Sequence, residues 1–234
     1  MRTLGLIGGT GWISTLEYYR LINQAVNRRL GGLEAARLLI HSFNYGDIDR
    51  LNRRDDHRAV FSLLLEAALG LQGCGVDGFL LCANTLHLYA DELQGKVARP
   101  ILHIADAAAE RIRGRGLTRV GLLGTRITME RDFYRGRLAE AGIDVLVPGE
   151  SDRAFIQGAI VNELLKGDFK DDTRSRFLEI VGGLAGRGAE GVVLGCTEIP
   201  LLLKQDDADL PLFDTLAIHA FAAADFVTGE MSYG

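Results

Sequence analysis

Two stretches of this chain share a pattern of residues at the same spacing, the second 113 residues after the first. They run from Glu66 to Leu81 and from Glu179 to Leu194, and seven positions are identical: one glutamate, two leucines and four glycines. Each copy ends in a short apolar run followed by a cysteine, Cys82 or Cys196, with Gly195 inserted in the second. An apolar run bounded by glycine is typical of a buried parallel strand. The pattern therefore predicts an internal duplication of a strand-and-helix unit.

Strand and helix patterns alternate along the chain, which favours parallel sheets covered by helices. We expect an α/β fold of two pseudo-symmetric, doubly wound parallel-sheet lobes, with the active site in the cleft between them. The first lobe is predicted to comprise 1–98 plus 209–234 and the second 99–208, because the tail has no evident counterpart in the repeat. Strands are predicted at 3–8, 37–43, 79–81, 101–102 and from 119, and helices at 15–30 (capped by Ser14 or Thr15), 57–73, 85–95, 104–115 and 216–228.

Composition limits what the protein is expected to bind. A net charge of −5 leaves no basic surface of the kind that nucleic acid requires. No apolar run approaches the roughly 20 residues that span a bilayer, and Met1-Arg2-Thr3 leads into a strand and not a signal peptide. Three cysteines without Cys-x-x-Cys spacing indicate free thiols in a reducing cytoplasm. The Gly-x-Gly-x-x-Gly pattern is not satisfied and the five histidines lack ligand spacing, so no nucleotide cofactor and no metal is predicted.

Cys82 and Cys196 occupy equivalent positions after the two repeated strands. A buried cysteine often acts only as a small apolar side chain, and a disulfide is a further alternative that a reducing compartment disfavours. Two thiols at matched strand ends suit racemisation, because one base removes a proton from a carbon acid and a conjugate acid returns one on the opposite face. A thiol with an ordinary pKa of about 8.5 can take either part near neutral pH. We predict an acid/base pair, and a structural role for Cys74.

Small polar residues follow several of the predicted strands. Each of them could cap a helix. Together they could hold an α-carboxylate with uncharged donors, helped by backbone N–H groups of the glycine turn at 8–11, and stabilise charge that moves onto it. These residues are Thr10, Asn84, Thr85, Thr125, Thr128 and Thr197.

Four charged or titratable side chains have two interpretations each. Arg53 could grip a second carboxylate bidentately or lie on a solvated helix face. Lys166 is a further candidate for the site, but its position also fits the end of a surface helix. His87 and Glu198 follow the two cysteines, and each could orient or shuttle a proton or only solvate a helix start.

The two most specific motifs are Cys82-Ala83-Asn84-Thr85-x-His87 and Gly195-Cys196-Thr197-Glu198-Ile199. With them the chain resembles, over essentially its whole length, the aspartate/glutamate racemase family of cofactor-independent amino-acid racemases. The likeness is greatest to the broad-specificity bacterial amino-acid racemases of that family. Further matching motifs are Gly8-Gly9 with Trp12 and Ser14-Thr15, His103-Ile104-Ala105-Asp106, Leu123-Gly124-Thr125-x2-Thr128-Met129 and Phe213-Asp214-Thr215.

This resemblance implies a homodimer, independence from pyridoxal phosphate, and a two-cysteine, two-base mechanism on a small amino-acid or dicarboxylate substrate. By position it assigns the cysteines as the acid/base pair and Thr10, Arg53, Asn84, Thr85, Thr125 and Thr197 as substrate contacts. Two places depart from the family pattern: Gly9-Thr10-Gly11 replaces Gly-Met-Ser, and Leu165 stands where some aspartate racemases carry a substrate lysine. The alternatives are a dicarboxylate isomerase or decarboxylase of the same superfamily, and a non-catalytic binding module; the presence of both cysteines favours racemisation.

Overall fold

The computed structural model describes residues 1–230, so the last four residues of the predicted range 209–234 lie outside the described residues. Within this range the chain divides into two compact units. The first unit contains Met1–His103 and the described residues from His219 onward, and the second contains Ile104–Ile218. No helix within 1–230 has both the length and the apolar character needed to cross a bilayer.

The first unit is a four-stranded parallel sheet with helices after its strands. The strand order is β2-β1-β3-β4, so β2 and β4 are the edges. The predicted helix at 85–95 is a 3₁₀ helix that continues into a short α-helix. In chain order the elements are β1 Thr3–Gly8, α1 Trp12–Leu30, β2 Arg37–Ser42, α2 Tyr45–Asn52, α3 His57–Gly73, β3 Gly78–Leu81, the 3₁₀ helix Asn84–Tyr89, α4 Ala90–Gln94 and β4 Ile101–Leu102.

The second unit repeats this plan with the strand order β6-β5-β7-β8, again all parallel. Its last helix begins in this unit and belongs to the first unit from His219 onward. The elements are α5 Ile104–Arg113, β5 Arg119–Gly124, α6 Arg126–Glu130, α7 Asp132–Glu140, β6 Asp144–Leu146, α8 Glu150–Asn162, the 3₁₀ helix Leu164–Lys166, α9 Asp171–Gly186, β7 Val192–Gly195, α10 Ile199–Leu202, the 3₁₀ helix Gln205–Asp207, β8 Leu212–Asp214 and α11 Thr215–Thr228.

The matching strand orders confirm the predicted α/β class with two parallel-sheet lobes. Residues 212–214, which the sequence assigned to the first lobe with the rest of the tail, form β8 of the second sheet. β8 pairs with β7 through Val193 and Phe213, just as β4 pairs with β3 through Phe79 and Ile101. This strand therefore completes the second sheet, and its three residues are too few to show periodicity in the sequence. The domain ranges 1–98 with 209–234 and 99–208, taken as a whole, stay a prediction.

Buried apolar side chains on the central strands pack against the flanking helices. In the first unit Ile7, Phe79 and Leu81 lie in one core with residues of α3. In the second unit Val192 and Leu194 pack on one face, and Val193 packs on the other face in a separate core with residues of α5 and α7. Because a parallel strand with both faces covered carries apolar residues in succession, the runs before the two cysteines are continuous and do not alternate.

The start of α1 differs from the prediction. The helix begins at Trp12, and Ser14 and Thr15 do not cap it; both hydroxyls donate to the carbonyl oxygen of Gly11, at 3.0 and 3.1 Å. The Thr15 hydroxyl also accepts the backbone N–H of Gly9 at 2.9 Å. One N–H of the glycine turn that was expected to bind a carboxylate is therefore already used within the protein.

Gly9 has a backbone conformation and close surroundings that suit only glycine. Its φ is +84°, and a Cβ there would lie 2.2 Å from the carbonyl oxygen of Phe43. We expect Gly9→Ala to lower the free energy of unfolding by more than the roughly 1–2 kcal/mol that a left-handed conformation alone costs. Gly75→Ala is the matched control, because Gly75 has φ +81° and open space around its Cα. Urea unfolding measures both variants, and equal losses would show that the clash with Phe43 is relieved.

Candidate active site

The first group of candidate residues follows β3 and comprises Cys82–Thr85, here called the Cys82 segment. The backbone N–H of Cys82 donates to the carbonyl oxygen of Ile7 at 2.8 Å, which extends the pairing of β3 with β1 by one residue. Only 1% of Cys82 is exposed, and its Sγ lies 3.9 Å from the carbonyl oxygen of Leu80. Burial raises the pKa of the Cys82 thiol far above its ordinary value, because a thiolate is poorly solvated there. Burial therefore favours the protonated thiol over the thiolate.

The chain turns sharply after Cys82. Ala83 is still extended, and Asn84 begins the 3₁₀ helix with its side chain buried, while Thr85 is half-buried. His87, one turn later, donates from Nδ1 to the carbonyl oxygen of Ala83 at 3.0 Å. This hydrogen bond ties the backbone of Ala83 to the 3₁₀ helix that follows it.

Thr10 follows β1, the strand beside β3, so it leaves the sheet at the same edge as Cys82. Its hydroxyl oxygen is buried and has no hydrogen-bond partner within residues 1–230. Leaving a buried hydroxyl unsatisfied costs about 1–3 kcal/mol. Thr10 is therefore suited to bind a ligand oxygen.

Arg53 lies at the end of α2, with 76% of its side chain exposed. Its Nε donates to Asp49 Oδ2 at 2.8 Å, so the guanidinium is paired with a carboxylate one turn earlier on the same helix. Lys166 ends the 3₁₀ helix Leu164–Lys166 of the second unit and is exposed. Arg53 thus lies on a solvated helix face and Lys166 at the end of a surface helix, the second of the two interpretations that the sequence left open for each.

The second group follows β7 and comprises Cys196–Glu198, here called the Cys196 segment. The Cys196 thiol donates to Glu198 Oε2 at 3.1 Å, and the Thr197 hydroxyl donates to the same oxygen at 3.0 Å. All three residues are buried. A buried carboxylate oxygen that accepts a thiol hydrogen is placed to take the proton.

The pKa of Cys196 is raised well above its ordinary value, first by burial and then by the negative charge of Glu198. Two opposing contacts lower it, because the backbone N–H groups of Glu198 and Ile199 point to the sulfur. Those N–H groups stabilise a thiolate once it forms. For Cys82, by contrast, burial is the cause of the raised pKa. The amide Asn84 stands two residues after Cys82, where the carboxylate Glu198 stands two residues after Cys196.

Thr125 and Thr128 lie at the start of α6 in the second unit. The Thr125 hydroxyl caps this helix by accepting the backbone N–H of Thr128 at 3.3 Å, and the two hydroxyl oxygens are 3.1 Å apart. A Cβ on Gly124 would lie 2.7 Å from the carbonyl oxygen of Gly195, so the ends of β5 and β7 approach closely. Glycine at both positions brings the threonine pair to the same sheet edge as Cys196.

Comparison with known proteins places the chain in a family. The family model described as Asp/Glu/Hydantoin racemase matches residues 7–223. The chain belongs to this racemase family. The resemblance seen in the sequence is thereby confirmed.

Individual relatives of the racemase family match over nearly the whole chain. A candidate Asp/Glu racemase from Yersinia pestis is 43% identical, with a TM-score of 0.91 over 97% of this chain and 100% of that one. An aspartate racemase homologue from Pyrococcus horikoshii is 34% identical, with a TM-score of 0.84 over 97% and 100%. The broad specificity amino-acid racemase RacX of Bacillus subtilis is 22% identical over 93% of this chain and 94% of its own.

Sequence reasoning missed several buried polar residues of this racemase-family chain. His103 and His219 lie beside His87, and the Tyr18 hydroxyl contacts His219. The Thr215 hydroxyl donates to the carbonyl oxygen of Leu194 at 2.8 Å. His103 stood in a quoted motif, but its contact with His87 has no sequence signal. Within residues 1–230, no group of three His, Cys, Asp or Glu side chains has a geometry that could hold a metal ion.

Proposed function

We propose that the protein is an amino-acid racemase that interconverts L- and D-amino acids without pyridoxal phosphate, with Cys82 and Cys196 as its two bases. One observation carries the proposal: the equivalent strands β3 and β7 of two matching parallel sheets each lead into a buried thiol. Parallel sheets place their chemistry at this end of the strands. Membership of the racemase family supports amino-acid racemisation as the reaction class.

The proposed step moves one proton off Cα and another proton on. The thiolate of one cysteine removes the Cα proton, and the electron pair passes into the carboxylate to give a carbanionic intermediate. The thiol of the other cysteine then protonates the opposite face, so that one cysteine gains a proton and the other loses one. Exchange of the sulfur-bound protons with solvent restores the starting state before the next substrate binds. The reaction needs both cysteines to reach the same Cα.

One thiol must lose its proton before substrate reacts, although burial raises the pKa of both. Glu198 accepts a hydrogen bond from Cys196 and offers a place for that proton. The Cys82 segment has an amide instead of a carboxylate at the corresponding place. We therefore assign Cys196 as the thiol that is first activated, with Glu198 as its proton acceptor.

Uncharged donors are proposed to hold the α-carboxylate. Thr10 contributes a buried hydroxyl that lacks a hydrogen-bond partner among the described residues, which supports this role. Hydrogen bonds from such donors strengthen as negative charge moves onto the carboxylate while the Cα proton leaves. Asn84, Thr85, Thr125 and Thr197 complete the proposed set, Thr128 supports Thr125, and Arg53 would bind a side-chain carboxylate after leaving Asp49.

The substrates are proposed to be aspartate, glutamate or a broader range of amino acids. The Bacillus subtilis relative is named a broad specificity amino-acid racemase, and the Pyrococcus horikoshii relative an aspartate racemase homologue. Lys166 is a further candidate for a side-chain carboxylate, since it is exposed. We also propose a homodimer that works in the cytoplasm, where the two thiols stay reduced.

Exchange in deuterium oxide tests the reaction directly. Single L- and D-amino acids are incubated with the protein, and NMR and chiral chromatography follow the Cα hydrogen and the enantiomer. In a two-base mechanism we expect the newly formed enantiomer to carry deuterium while the remaining substrate keeps its hydrogen early in the reaction. Dicarboxylates and hydantoins are tested in the same panel. A folded protein that exchanges and inverts no amino acid, or that converts only a dicarboxylate, would overturn the racemase proposal.

A further inference from the structure

Behind the Cys82 segment lies a buried group of three imidazole rings, here called the histidine cluster: His87, His103 and His219. The ring centre of His87 is 4.6 Å from that of His103 and 5.5 Å from that of His219. All three side chains are buried, His219 completely. Tyr18 of α1 adds its hydroxyl, 3.0 Å from His219 Nδ1. Buried polar groups of this kind persist when they are fully hydrogen-bonded, and they then specify a unique arrangement.

The hydrogen-bond partners determine which ring nitrogens carry hydrogen. The carbonyl oxygen of Leu102 can only accept, so His219 Nε2, at 2.9 Å from it, is the donor. His219 Nδ1 then accepts the hydrogen of the Tyr18 hydroxyl. The carbonyl oxygen of Ala83 likewise requires that His87 carries its hydrogen on Nδ1. Each assignment follows from the chemistry of the acceptor.

The surroundings of His219 favour its neutral form. Its pKa is lowered well below the ordinary value, first by burial and then by the proximity of His87, with a smaller opposing effect of the Leu102 carbonyl. The groups near it, Tyr18, His87 and Leu102, include no carboxylate. A proton on His219 would therefore be poorly solvated, with no carboxylate among these groups to stabilise it.

We propose that the histidine cluster positions the Cys82 segment for catalysis, with His87 as the residue that contacts it. His87 donates a hydrogen bond to the carbonyl oxygen of Ala83, the residue that lies between Cys82 and Asn84. The ring of His87 in turn packs against two other rings: His103, which follows β4, and His219 of α11. Tyr18 of α1 is hydrogen-bonded to His219. Three separate elements therefore set the place of one loop. This inference rests on the proposed racemase function for its kinetic test.

Substitutions at His87 distinguish the effect of losing its hydrogen bond to Ala83 from the effect of losing the volume of the ring. Asparagine places its amide nitrogen near the position of Nδ1 and can still donate to Ala83, whereas glutamine places it near Nε2 and leucine has no donor. We expect His87→Leu and His87→Gln to lower kcat by about 10²-fold, since misplacing a catalytic group by 1 Å has effects of this size. KM should rise as well, because Asn84 moves with Cys82. His87→Asn should recover at least a tenth of the wild-type kcat.

The matched control is His57→Leu. His57 also bonds a tyrosine hydroxyl, Tyr89 at 2.9 Å, but this bond does not involve the Cys82 segment. Its kcat and KM should match the wild type. A variant that merely unfolds in part would lose kcat at an unchanged KM, which separates positioning from stability.

Alkylation of Cys82 by iodoacetamide, followed by mass spectrometry, gives a readout that needs no racemase activity. Loosening the segment should raise the alkylation rate of Cys82 about 10-fold in the leucine and glutamine variants and leave the asparagine variant near wild type. The proposal is overturned if all three variants keep wild-type KM and alkylation, or if asparagine is as impaired as leucine. A wild-type protein without racemase activity would overturn the proposed function, and alkylation would still decide the role of His87.

Discussion

Replacing either Cys82 or Cys196 with serine is expected to lower the kcat of racemisation by at least about 10³-fold. An alcohol is a far weaker acid than a thiol, so serine can neither form the anion that removes the Cα proton nor return the proton readily. Each cysteine takes the part of acid in one direction and base in the other, and neither substitution spares one direction. Because the equilibrium constant of a racemisation is one, kcat/KM must fall equally for both enantiomers. Chiral chromatography of both reactions measures this.

Cys74→Ser is the matched control for these variants. Cys74 is the exposed thiol at the end of α3. Its loss should leave kcat and KM unchanged. Full activity in Cys82→Ser or in Cys196→Ser would remove that residue from the proposed mechanism.

Glu198→Gln should have the second largest effect on kcat. The change has two consequences that act in opposite directions, and the loss of the proton acceptor is the larger. Removing the negative charge lowers the pKa of Cys196, which by itself favours the thiolate at neutral pH. Removing the carboxylate also removes the acceptor for the thiol proton, at 3.1 Å from Sγ. Loss of a proton acceptor typically lowers rates by 10²–10⁴-fold. We therefore expect kcat to fall by about 10²-fold although the thiol becomes more acidic.

The pH dependence of Cys196 alkylation tests the first half of this prediction. The profile should shift to lower pH in Glu198→Gln, yet stay on the alkaline side of an ordinary cysteine, because burial is the larger cause of the raised pKa. Glu190→Gln is the control: it removes the same charge before β7, where Glu190 accepts the backbone N–H groups of Thr118 and Arg119. An increase of kcat in Glu198→Gln would show that Glu198 only tunes the thiol and carries no proton.

The sequence predicted the two strand ends of the candidate site well, for a local physical reason. A strand buried on both faces must be a continuous apolar run, so the polar residues that follow it stand out. Cys82 and Asn84 follow one such run, and Cys196 and Glu198 follow the other. The bond from Cys196 to Glu198 joins residues only two apart, yet its existence depends on how the chain turns after β7.

Other features had no local signal. β8 has three residues, so only its pairing with β7 reveals it as a strand of the second sheet. Ser14 and Thr15 looked like helix caps, but Gly11 takes that position because the chain turns one residue after Thr10. A polar residue at a helix start can satisfy either backbone donors or backbone acceptors, and the sequence does not distinguish the two.

What the sequence by itself determined is the fold class, the family and the two thiols, because apolar runs, glycine spacing and a duplicated motif act through neighbours along the chain. What only the tertiary structure decided is the surroundings of those thiols. His87 meets His219 although 132 positions separate them in the sequence, and Tyr18 reaches His219 across 201. Hydrogen bonds between distant elements depend on packing that no periodicity records, so the histidine cluster behind Cys82 is visible only in the folded chain.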